Sequence, residues 1–297
     1  MNEPKILIIA GSDSCGGAGI QADIKTATAL KVYSASVITS LTAQNTRKVY
    51  AIQNVGNDFL KQQLDVVLED IQFDAIKIGM LSNKEAIETI NQVLKTKYKK
   101  IPIVLDPVMV ATSGDSLLEK TAIESLKKNL INKAKIVTPN IDEAEILSGM
   151  KIKNLSDMRE ACSVIKNLGC EAVLIKGGHL NFADGKVHSL LHDEEDDFYL
   201  VSNKKVGNKD IHGTGCTLAS AIASNLAKKL DLINAVRESV AEKNYVKAEE
   251  ALNVLANMND EKAYAVAFKV YSSGLAGNVK DDDITKHPMY NLSLIHI

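Results

Sequence analysis

Short apolar runs rich in β-branched residues recur along the chain and predict the strands of a buried sheet. Each run is nearly continuous in apolar character and does not alternate with polar residues, which is typical of parallel strands covered by helices on both faces. The runs begin at Lys5, Ser34, Asp74, Ile101, Ala134 and Ala172.

Segments with helical periodicity separate these runs. They predict helices over residues 21–30, 59–69, 84–94, 116–130 and 157–168. Because strand and helix alternate, we predict an α/β fold with a doubly wound, mostly parallel central sheet and helices on both of its faces.

The alternation of strand and helix breaks after the sixth run. Residues 186–192 and 198–203 predict two strands joined by an acidic tip, which we interpret as a small antiparallel hairpin at the edge of the sheet. A helix rich in small residues is expected after Cys216, followed by two helices near residues 232–246 and 246–256.

Residues 257–297 differ from the rest of the chain because they show no clear periodicity. We therefore expect one folded domain over residues 1–256 and a C-terminal extension of unknown role over residues 257–297. The extension is either disordered, a docking segment, or an artefact outside the natural chain.

The composition is that of an ordinary globular protein. Apolar residues make up 45% and charged residues 24% of the 297 residues, which excludes a disordered, collagen-like or coiled-coil chain. The 35 basic and 37 acidic residues give a net charge of −2. Because a nucleic-acid-binding protein normally carries a basic excess, we expect small-molecule partners and no nucleic acid.

Neither a membrane span nor a secretion signal is recognisable in the sequence. No apolar run approaches the roughly 18–20 residues that cross a bilayer, and the N-terminus lacks the pattern of a signal peptide. We therefore expect a cytoplasmic protein without a membrane partner. The four cysteines form no CxxC pair and are expected to be reduced thiols. They are Cys15, Cys162, Cys170 and Cys216.

The first strand runs into a glycine-rich segment, residues 11–19, that leads into a helix. Its four glycines permit a close approach of the backbone to a ligand, or a positive φ. The segment matches neither GxGxxG nor GxxxxGKS/T, so it does not support a dinucleotide or Walker-type site. A ligand-binding loop and a flexible turn both fit it.

A second glycine-rich turn, Gly213-Thr214-Gly215-Cys216, precedes the helix of small residues. The start of a helix presents unpaired N–H groups and the positive end of the helix dipole, which together bind phosphate. We expect the same field to lower the pKa of Cys216 below the free value of about 8.5, which would permit proton acceptance by a thiolate. A small buried structural cysteine is the alternative.

Charged or amide side chains mark three further strand ends. Asp106 ends a buried strand, where an uncompensated charge is costly, so we expect a cation or a hydrogen-bond donor beside it. Asn140 and Glu143 lie three residues apart at the start of a helix, and they either cap that helix or face one ligand together. Lys176 is either a phosphate-facing cation or a solvated lysine.

Seven strings along the chain together resemble one known family. They are GSDSCGGAGIQAD, SVITSLTAQNT, KIGML, LDPVMV, VTPNIDEAE, IKGGH and HGTGCTLASAIA. The family is that of the hydroxymethylpyrimidine/phosphomethylpyrimidine kinases in the ribokinase-like superfamily, and the resemblance extends over residues 5–256.

This resemblance implies a fold, an activity and cofactors. The fold is a three-layer sandwich, and the activity is ATP-dependent phosphorylation of 4-amino-5-hydroxymethyl-2-methylpyrimidine, and of its monophosphate, to the diphosphate used in thiamine synthesis. ATP and Mg²⁺ are the implied cofactors, and we expect a homodimer.

The resemblance also implies roles for residues on the substrate side. Asp23 resembles the residue that meets the hydroxymethyl group, and Gln44 resembles the one that pairs with the aminopyrimidine edge. Gly11 and Met80 resemble walls of the pocket. An amide suits the aminopyrimidine edge because it offers both a donor and an acceptor.

On the nucleotide side, the resemblance implies that Asp106 and Glu143 hold Mg²⁺, directly or through water. Asn140 joins them in organising the phosphates, and Lys176 resembles a phosphate contact. The glycine-rich turn before the small-residue helix resembles the anion hole, with Cys216 as the proton acceptor.

Two rival functions stay open at this point. One is a pyridoxal or pyridoxine kinase of the same fold, since its substrate is also a small heteroaromatic ring with a hydroxymethyl group. The other is a non-catalytic pyrimidine-binding or regulatory module that retains the fold.

Overall fold

The computed structural model describes residues 3–97, 101–109, 118–178, 180, 182, 184–204 and 213–240. Within them the strands are β1 (Lys5–Asp13), β2 (Tyr33–Gln44), β3 (Val49–Asn54), β4 (Ala75–Ile78), β5 (Ile103–Leu105), β6 (Ile136–Val137), β7 (Val173–Ile175), β8 (Lys186–His192) and β9 (Phe198–Lys204). The helices are α1 (Gly19–Ala29), α2 (Asn57–Asp70), α3 (Lys84–Lys97), α4 (Lys120–Asn129), α5 (Ile141–Ser148), α6 (Leu155–Lys166), α7 (Thr214–Ala227) and α8 (Leu232–Val240).

The nine strands form one sheet in the order β3-β2-β1-β4-β5-β6-β7-β8-β9. The six central strands, β2, β1, β4, β5, β6 and β7, are parallel to one another. At the two edges the pairing is antiparallel: β3 pairs with β2, β8 with β7, and β9 with β8. The prediction of a mostly parallel central sheet with an edge hairpin is therefore confirmed.

The parallel strands are apolar throughout because helices cover both faces of the sheet. Helices α2 to α6 pack on one face, where their buried side chains join those of the strands in one hydrophobic cluster. Helices α1 and α7 cover the other face, and α8 packs against α7. The predicted three-layer arrangement of helix, sheet and helix is therefore confirmed.

The sequence pattern does not predict strand β3. Its side chains are mostly exposed, with Tyr50 64% exposed, so no buried face marks it in the sequence. The strand forms because its backbone pairs antiparallel with the second half of β2. Pairing at a sheet edge, which leaves no clear hydrophobic signal, explains why β3 was missed.

Several expectations fall outside the described residues. Helix α8 covers the first part of the helix expected near residues 232–246. The helix expected near residues 246–256 and the extension over residues 257–297 lie outside, so the domain division stays a prediction. In the part of the chain that is described, no helix is both long and apolar enough to cross a membrane.

Helix α2 offers a matched test of the packing. Leu64 is fully buried in the hydrophobic cluster, whereas Val66, two residues further on, is 56% exposed. We expect Leu64→Ala to lower the free energy of unfolding by about 2–5 kcal/mol because it leaves a cavity, and Val66→Ala to change it by at most about 0.5 kcal/mol. Urea unfolding measures both, and equal losses would contradict the assigned face of α2.

Candidate active site

The side chains singled out in the sequence gather at the carboxyl ends of the parallel strands. Met80 follows β4, Asp106 follows β5, Asn140 follows β6 and Lys176 follows β7. Because parallel strands all point the same way, these positions share one edge of the sheet, which is where α/β folds bind ligands. The first turn of α7 reaches the same edge, as the contacts of Gly215 below show.

Asp106 and Lys176 form an ion pair beside the start of α7. The Lys176 Nζ lies 2.8 Å from Asp106 Oδ1, and the Thr138 hydroxyl donates to the same oxygen at 3.1 Å. A Cβ added to Gly215 would lie 3.0 Å from the Lys176 Nζ and 3.7 Å from Asp106 Oδ2. The expected partner of Asp106 is therefore confirmed, and the lysine faces a carboxylate and the glycine-rich turn of α7.

The charge of Lys176 is held by its neighbours. Burial alone would lower the pKa of Lys176, but the negative charges of Asp106 and Glu143 outweigh it and raise this pKa. The Lys176 ammonium group therefore stays positively charged, and it lies beside the backbone of Gly215 in the first turn of α7.

Asn140 and Glu143 cap helix α5 with a reciprocal pair of hydrogen bonds. The Asn140 side chain accepts from the Glu143 N–H at 2.9 Å, and Glu143 Oε2 accepts from the Asn140 N–H at 2.8 Å. The capping interpretation is confirmed. The role of both residues toward phosphate or metal is a separate matter and stays a prediction.

Glu143 is also an electrostatic neighbour of the ion pair. Burial raises the pKa of Glu143 to about 7; the charge of Asp106 adds to this rise, and Lys176 opposes it. The N–H of Met109 donates to Glu143 Oε1 at 3.4 Å. A further cation close to Glu143 and Asp106 would favour the charged form of Glu143 against the effect of burial.

The two carboxylates fit a hard divalent cation only in part. No group of three or more His, Cys, Asp or Glu side chains among the described residues could hold a metal ion. Carboxylate oxygens are the ligands Mg²⁺ prefers, and Mg²⁺ usually completes its shell with water and substrate phosphates. Asp106 and Glu143 therefore suit a nucleotide-bound Mg²⁺ rather than a metal held by the protein alone.

The glycine-rich loop after β1 is organised by a side chain that sequence reasoning missed. The buried carboxylate of Asp13 accepts from the backbone N–H groups of Cys15 at 2.8 Å, Gly17 at 3.0 Å and Ala18 at 2.8 Å. The loop is therefore a folded anion nest filled by its own aspartate, and not a flexible turn. The signal for this role in the sequence is Asp13 itself, the first acidic residue of the segment GSDSCGGAGIQAD.

Two glycines allow close backbone approaches at this edge of the sheet, and one of them brings the loop after β1 into contact with the turn before α7. Gly213, with φ +90°, lies so close that an added Cβ would be 1.8 Å from the carbonyl oxygen of Gly17. Gly19, with φ +53°, would place a Cβ 2.3 Å from the carbonyl oxygen of Gly11. Only glycine fits at either position, so Gly213 joins the two turns and Gly19 allows the loop after β1 to close on itself.

The expected pocket walls lie side by side. A Cβ added to Gly11 would lie 2.9 Å from the hydroxyl oxygen of Ser40 and 3.1 Å from the sulfur of Met80. The adjacency of Gly11 and Met80 agrees with their resemblance to walls of one pocket. Contact of either residue with a substrate stays a prediction.

Gln44 is fastened to the loop after β1. Ser14 donates its hydroxyl to the Gln44 carbonyl at 2.8 Å and accepts from the Gln44 N–H at 2.9 Å. The Thr42 hydroxyl lies 2.9 Å from the Gln44 side-chain oxygen. Contacts with Ser14 and Thr42 thus fix the position of Gln44 and of its side-chain amide. Gln44 lies at the same end of the sheet as Met80.

Asp23 lies deeper than its resemblance suggested. Its carboxylate is completely buried and accepts from the Lys77 ammonium at 2.9 Å and 2.7 Å and from the Ser220 hydroxyl at 2.7 Å. The contact of Asp23 with a hydroxymethyl group stays a prediction. Sequence reasoning missed Lys77, although a lysine inside the four-residue buried strand β4 is itself a signal.

The expected low pKa of Cys216 is wrong. Burial raises the pKa of Cys216 to about 11. Lys77 and the N–H of Gly19, which donates to the sulfur, act in the lowering direction, whereas the carboxylates Asp23 and Asp106 add to the rise. Desolvation of a thiolate in a partly buried site outweighs the helix field on which the expectation was based. All four cysteines are free thiols, as expected.

Comparison with known proteins places these features in one family. The family profile described as phosphomethylpyrimidine kinase matches residues 13–259 of the chain. A hydroxymethylpyrimidine/phosphomethylpyrimidine kinase of Rhizobium meliloti (strain 1021) is 45% identical over 236 residues, which cover 79% of this chain and 87% of the relative.

Solved structures give the same result for the fold. A crystal structure of phosphomethylpyrimidine kinase from Clostridium difficile 630 is 44% identical, with a TM-score of 0.69, and the match covers 80% of this chain and 96% of that one. A pyridoxal kinase of Bacillus subtilis in complex with ADP is 32% identical, with a TM-score of 0.75, over 84% of this chain and 93% of that one.

The raised pKa of Glu143 predicts how stability depends on pH. Between the ordinary value of 4.5 and about 7, the folded protein holds a proton that the unfolded chain releases. Stabilisation by this proton is complete below pH 4.5 and is lost as the pH rises through about 7. We therefore expect the free energy of unfolding of the wild type, minus that of Glu143→Gln, to fall across this range and then level off.

Urea unfolding at a series of pH values, with EDTA and without nucleotide, measures this difference. Glutamine keeps the capping interaction, so the variant isolates the proton. Glu145→Gln on the same helix is the control, because hydrogen bonds from Lys151 and the Ile152 N–H lower the pKa of Glu145. The corresponding difference for Glu145 should be flat from about pH 5 to 8, and a flat profile for Glu143 as well would contradict the prediction.

Proposed function

The chain belongs to the phosphomethylpyrimidine kinase family, and from this premise we propose that it transfers the terminal phosphate of ATP to 4-amino-5-hydroxymethyl-2-methylpyrimidine and then to the monophosphate formed. The diphosphate produced is the one used for thiamine synthesis. The observation that carries the proposal is the meeting of the glycine-rich turn before α7 with the Asp106–Lys176 pair at the ligand-binding edge of the sheet.

Phosphoryl transfer asks the protein mainly to position reactants and neutralise charge. The first turn of a helix leaves N–H groups without an intrahelical carbonyl and carries the positive end of the dipole. In this chain that turn is Gly213 to Cys216. We assign it to the migrating phosphoryl group, whose charge it would stabilise in the transition state.

The nucleotide phosphates are assigned to the residues around the ion pair. Lys176 supplies a permanent positive charge 2.8 Å from Asp106. Asp106 and Glu143 would hold Mg²⁺, directly or through water, and Asn140 would fix Glu143 through the cap. Bound Mg²⁺ would neutralise charge on the phosphates.

Cys216 is assigned the proton transfer. Its thiol must first lose its proton to solvent; the thiolate then accepts the proton of the substrate hydroxyl as the hydroxyl oxygen bonds to phosphorus and ADP leaves. Because the pKa of Cys216 is raised to about 11, only a small fraction is thiolate at neutral pH. The rate should therefore depend on the cations beside the sulfur.

The pyrimidine is assigned to the pocket beside the loop after β1. Gln44 would pair its amide with the ring nitrogen and the exocyclic amine, and Gly11 and Met80 would contact the ring. Asp23, which lies beneath the pocket, would interact with the hydroxymethyl group of the substrate.

Pyridoxal is the rival substrate on this fold. The pyridoxal kinase of Bacillus subtilis matches the fold well but is only 32% identical, whereas the pyrimidine kinase relatives are 44–45% identical. The closer sequence similarity favours the pyrimidine. A homodimer and a cytoplasmic location are part of the same proposal and stay predictions.

A direct assay tests the activity. The protein is incubated with ATP, Mg²⁺ and either the hydroxymethylpyrimidine or pyridoxal at equal concentrations, and ADP and product masses are followed. We expect the pyrimidine mono- and diphosphates, and faster ADP release with the pyrimidine. Faster turnover of pyridoxal would favour the rival kinase, and no ADP with either substrate would favour the non-catalytic module.

We predict that Cys216→Ala retains nucleotide binding but lowers kcat at least about tenfold, because general base catalysis contributes ~10² to 10⁴ in rate. Steady-state kinetics and ADP titration measure the two effects. Cys170→Ala, which removes a buried thiol in the turn between α6 and β7, is the control and should keep kcat. Near-normal turnover by Cys216→Ala would remove this sulfur from the base role.

We also predict that Gln44→Ala lowers kcat/KM for the pyrimidine. The loss should correspond to about 1 to 3 kcal/mol of transition-state stabilisation, since the variant leaves polar groups of the ring unpaired. The loss of kcat/KM for ATP should be smaller. Gln53→Ala, an exposed glutamine of β3, serves as the control. Equal losses toward both substrates would contradict the pairing of Gln44 with the ring.

A further inference from the structure

A buried cluster beneath the first turn of α7 contains two residues that the mechanism above does not use. The Lys77 Nζ lies 2.9 Å and 2.7 Å from the two carboxylate oxygens of Asp23, and the Ser220 hydroxyl donates to Asp23 Oδ1 at 2.7 Å. All three residues have no solvent exposure. They come from β4, α1 and α7, so the cluster ties the sheet to both helices on that face.

Stability alone does not account for this ion pair. Taking two charges out of water costs several kcal/mol each, and apolar residues of similar volume are often as stabilising or more so. The other residues of β4, Ala75, Ile76 and Ile78, are all buried and apolar. An apolar side chain at position 77 would therefore suit the strand.

The surroundings of Lys77 are built to hold an ammonium group. A Cβ added to Gly79 would lie only 2.6 Å from the Lys77 Nζ. Residues 77 and 79 point to the same face of the strand, so the missing side chain of Gly79 leaves the space that the ammonium fills. The positive charge of Lys77 thus lies next to the carboxyl end of β4, the edge of the sheet that carries the candidate active site.

The cluster lies on the face of α7 that carries Cys216. Ser220 follows Cys216 by four residues, and residues four apart share one face of a helix. The hydrogen bond from Ser220 therefore holds Asp23, and with it the ion pair, against the face of α7 that also carries Cys216.

The charged groups around Cys216 come from four elements. They are Asp23 on α1, Lys77 on β4, Asp106 after β5 and Lys176 after β7, and the Gly19 N–H donates to the sulfur. Asp106 is paired with Lys176, and Asp23 is paired with Lys77. Both carboxylates are thus compensated, and Lys77 is the cation on the same side as Ser220.

We propose that Lys77 is a positioning residue for proton transfer, whose ammonium group, held by Asp23 and Ser220, stabilises the Cys216 thiolate. The inference rests on the proposed function, because that function makes Cys216 the acceptor of the substrate proton. Lys77 itself gives up no proton. It lowers the free energy of the thiolate that forms when the thiol releases its proton to water, and so increases the fraction ready to accept the hydroxyl proton.

Two electrostatic effects expected from this arrangement support the proposal. Burial alone would lower the pKa of Lys77, but the attraction of Asp23, Cys216 and Asp106 raises it, so the ammonium stays charged. Among the charged groups that act on Cys216, Lys77 has the largest effect on the pKa of the thiol, and the effect is in the lowering direction.

A double-mutant cycle separates this role from simple neutralisation of Asp23. The full chain is compared as wild type, Lys77→Met, Asp23→Asn and the double variant. Lys77→Met alone leaves a buried carboxylate unpaired and can fail to fold, whereas the double variant removes both charges and keeps the interior neutral. The decisive comparison is therefore the double variant against Asp23→Asn, with urea unfolding as the check on folding.

The primary readout is the reaction of Cys216 with iodoacetamide as a function of pH, followed by peptide mass mapping. It needs no substrate and reports thiolate directly. In the Asp23→Asn background we expect Lys77→Met to slow the alkylation of Cys216 about tenfold at a given pH, equivalent to an upward shift of about one pH unit. The kcat for the pyrimidine should fall with it, while KM for ATP stays constant.

A pair of serines on α7 provides the control. Ser220→Ala removes the bond to Asp23 and should slow Cys216 alkylation, though less than loss of Lys77. Ser224→Ala, one turn further along, removes a buried hydroxyl that has no hydrogen-bond partner among the described residues. It should leave the alkylation profile unchanged.

Identical alkylation profiles for the double variant and Asp23→Asn would overturn the inference, because Lys77 would then act only on Asp23. If that result came with intact pyrimidine phosphorylation by the wild type, the proposed function would stand and only the inference would fall. Absence of phosphorylation by the wild type would overturn the proposed function, and the inference with it.

Discussion

The site depends on the contact between two glycine-rich turns at the carboxyl end of the sheet. Gly213 and Gly17 approach so closely that no side chain fits between them. This contact fixes the first turn of α7 against the loop after β1, and the loop in turn is held by the Asp13 carboxylate. Because the two turns fix each other's position, the N–H groups at the start of α7 have a defined direction toward the edge of the sheet.

Charge compensation at that edge follows from the same arrangement. Asp106 has Lys176 and Asp23 has Lys77, so each of these two carboxylates has a cation before any ligand binds. Glu143 accepts hydrogen bonds from the backbone N–H groups of Asn140 and Met109, and burial raises its pKa to about 7 although Lys176 opposes the rise. A site with compensated carboxylates and a half-buried helix start is suited to phosphates that arrive with their own cation.

Most of the fold could be predicted from the sequence, because strands covered on both faces are continuous apolar runs and the helices between them are periodic. The capping pair of Asn140 and Glu143 was also readable, since it is local. Strand β3 was not, because it is an exposed edge held by pairing. The Lys77–Asp23 pair joins residues 54 apart in the chain, and no local pattern reports such a contact. The pKa of Cys216 was mispredicted because the sequence shows the helix start but not the burial.

In the proposed function, the main chain at the start of α7, next to Cys216, holds the migrating phosphoryl group. A crystal structure with a non-hydrolysable ATP analogue, Mg²⁺ and the hydroxymethylpyrimidine tests it most directly. We expect the terminal phosphate within hydrogen-bonding distance of the N–H groups of Gly215 and Cys216, with the substrate hydroxyl beside the sulfur. A terminal phosphate bound elsewhere, with this turn facing only solvent, would contradict it.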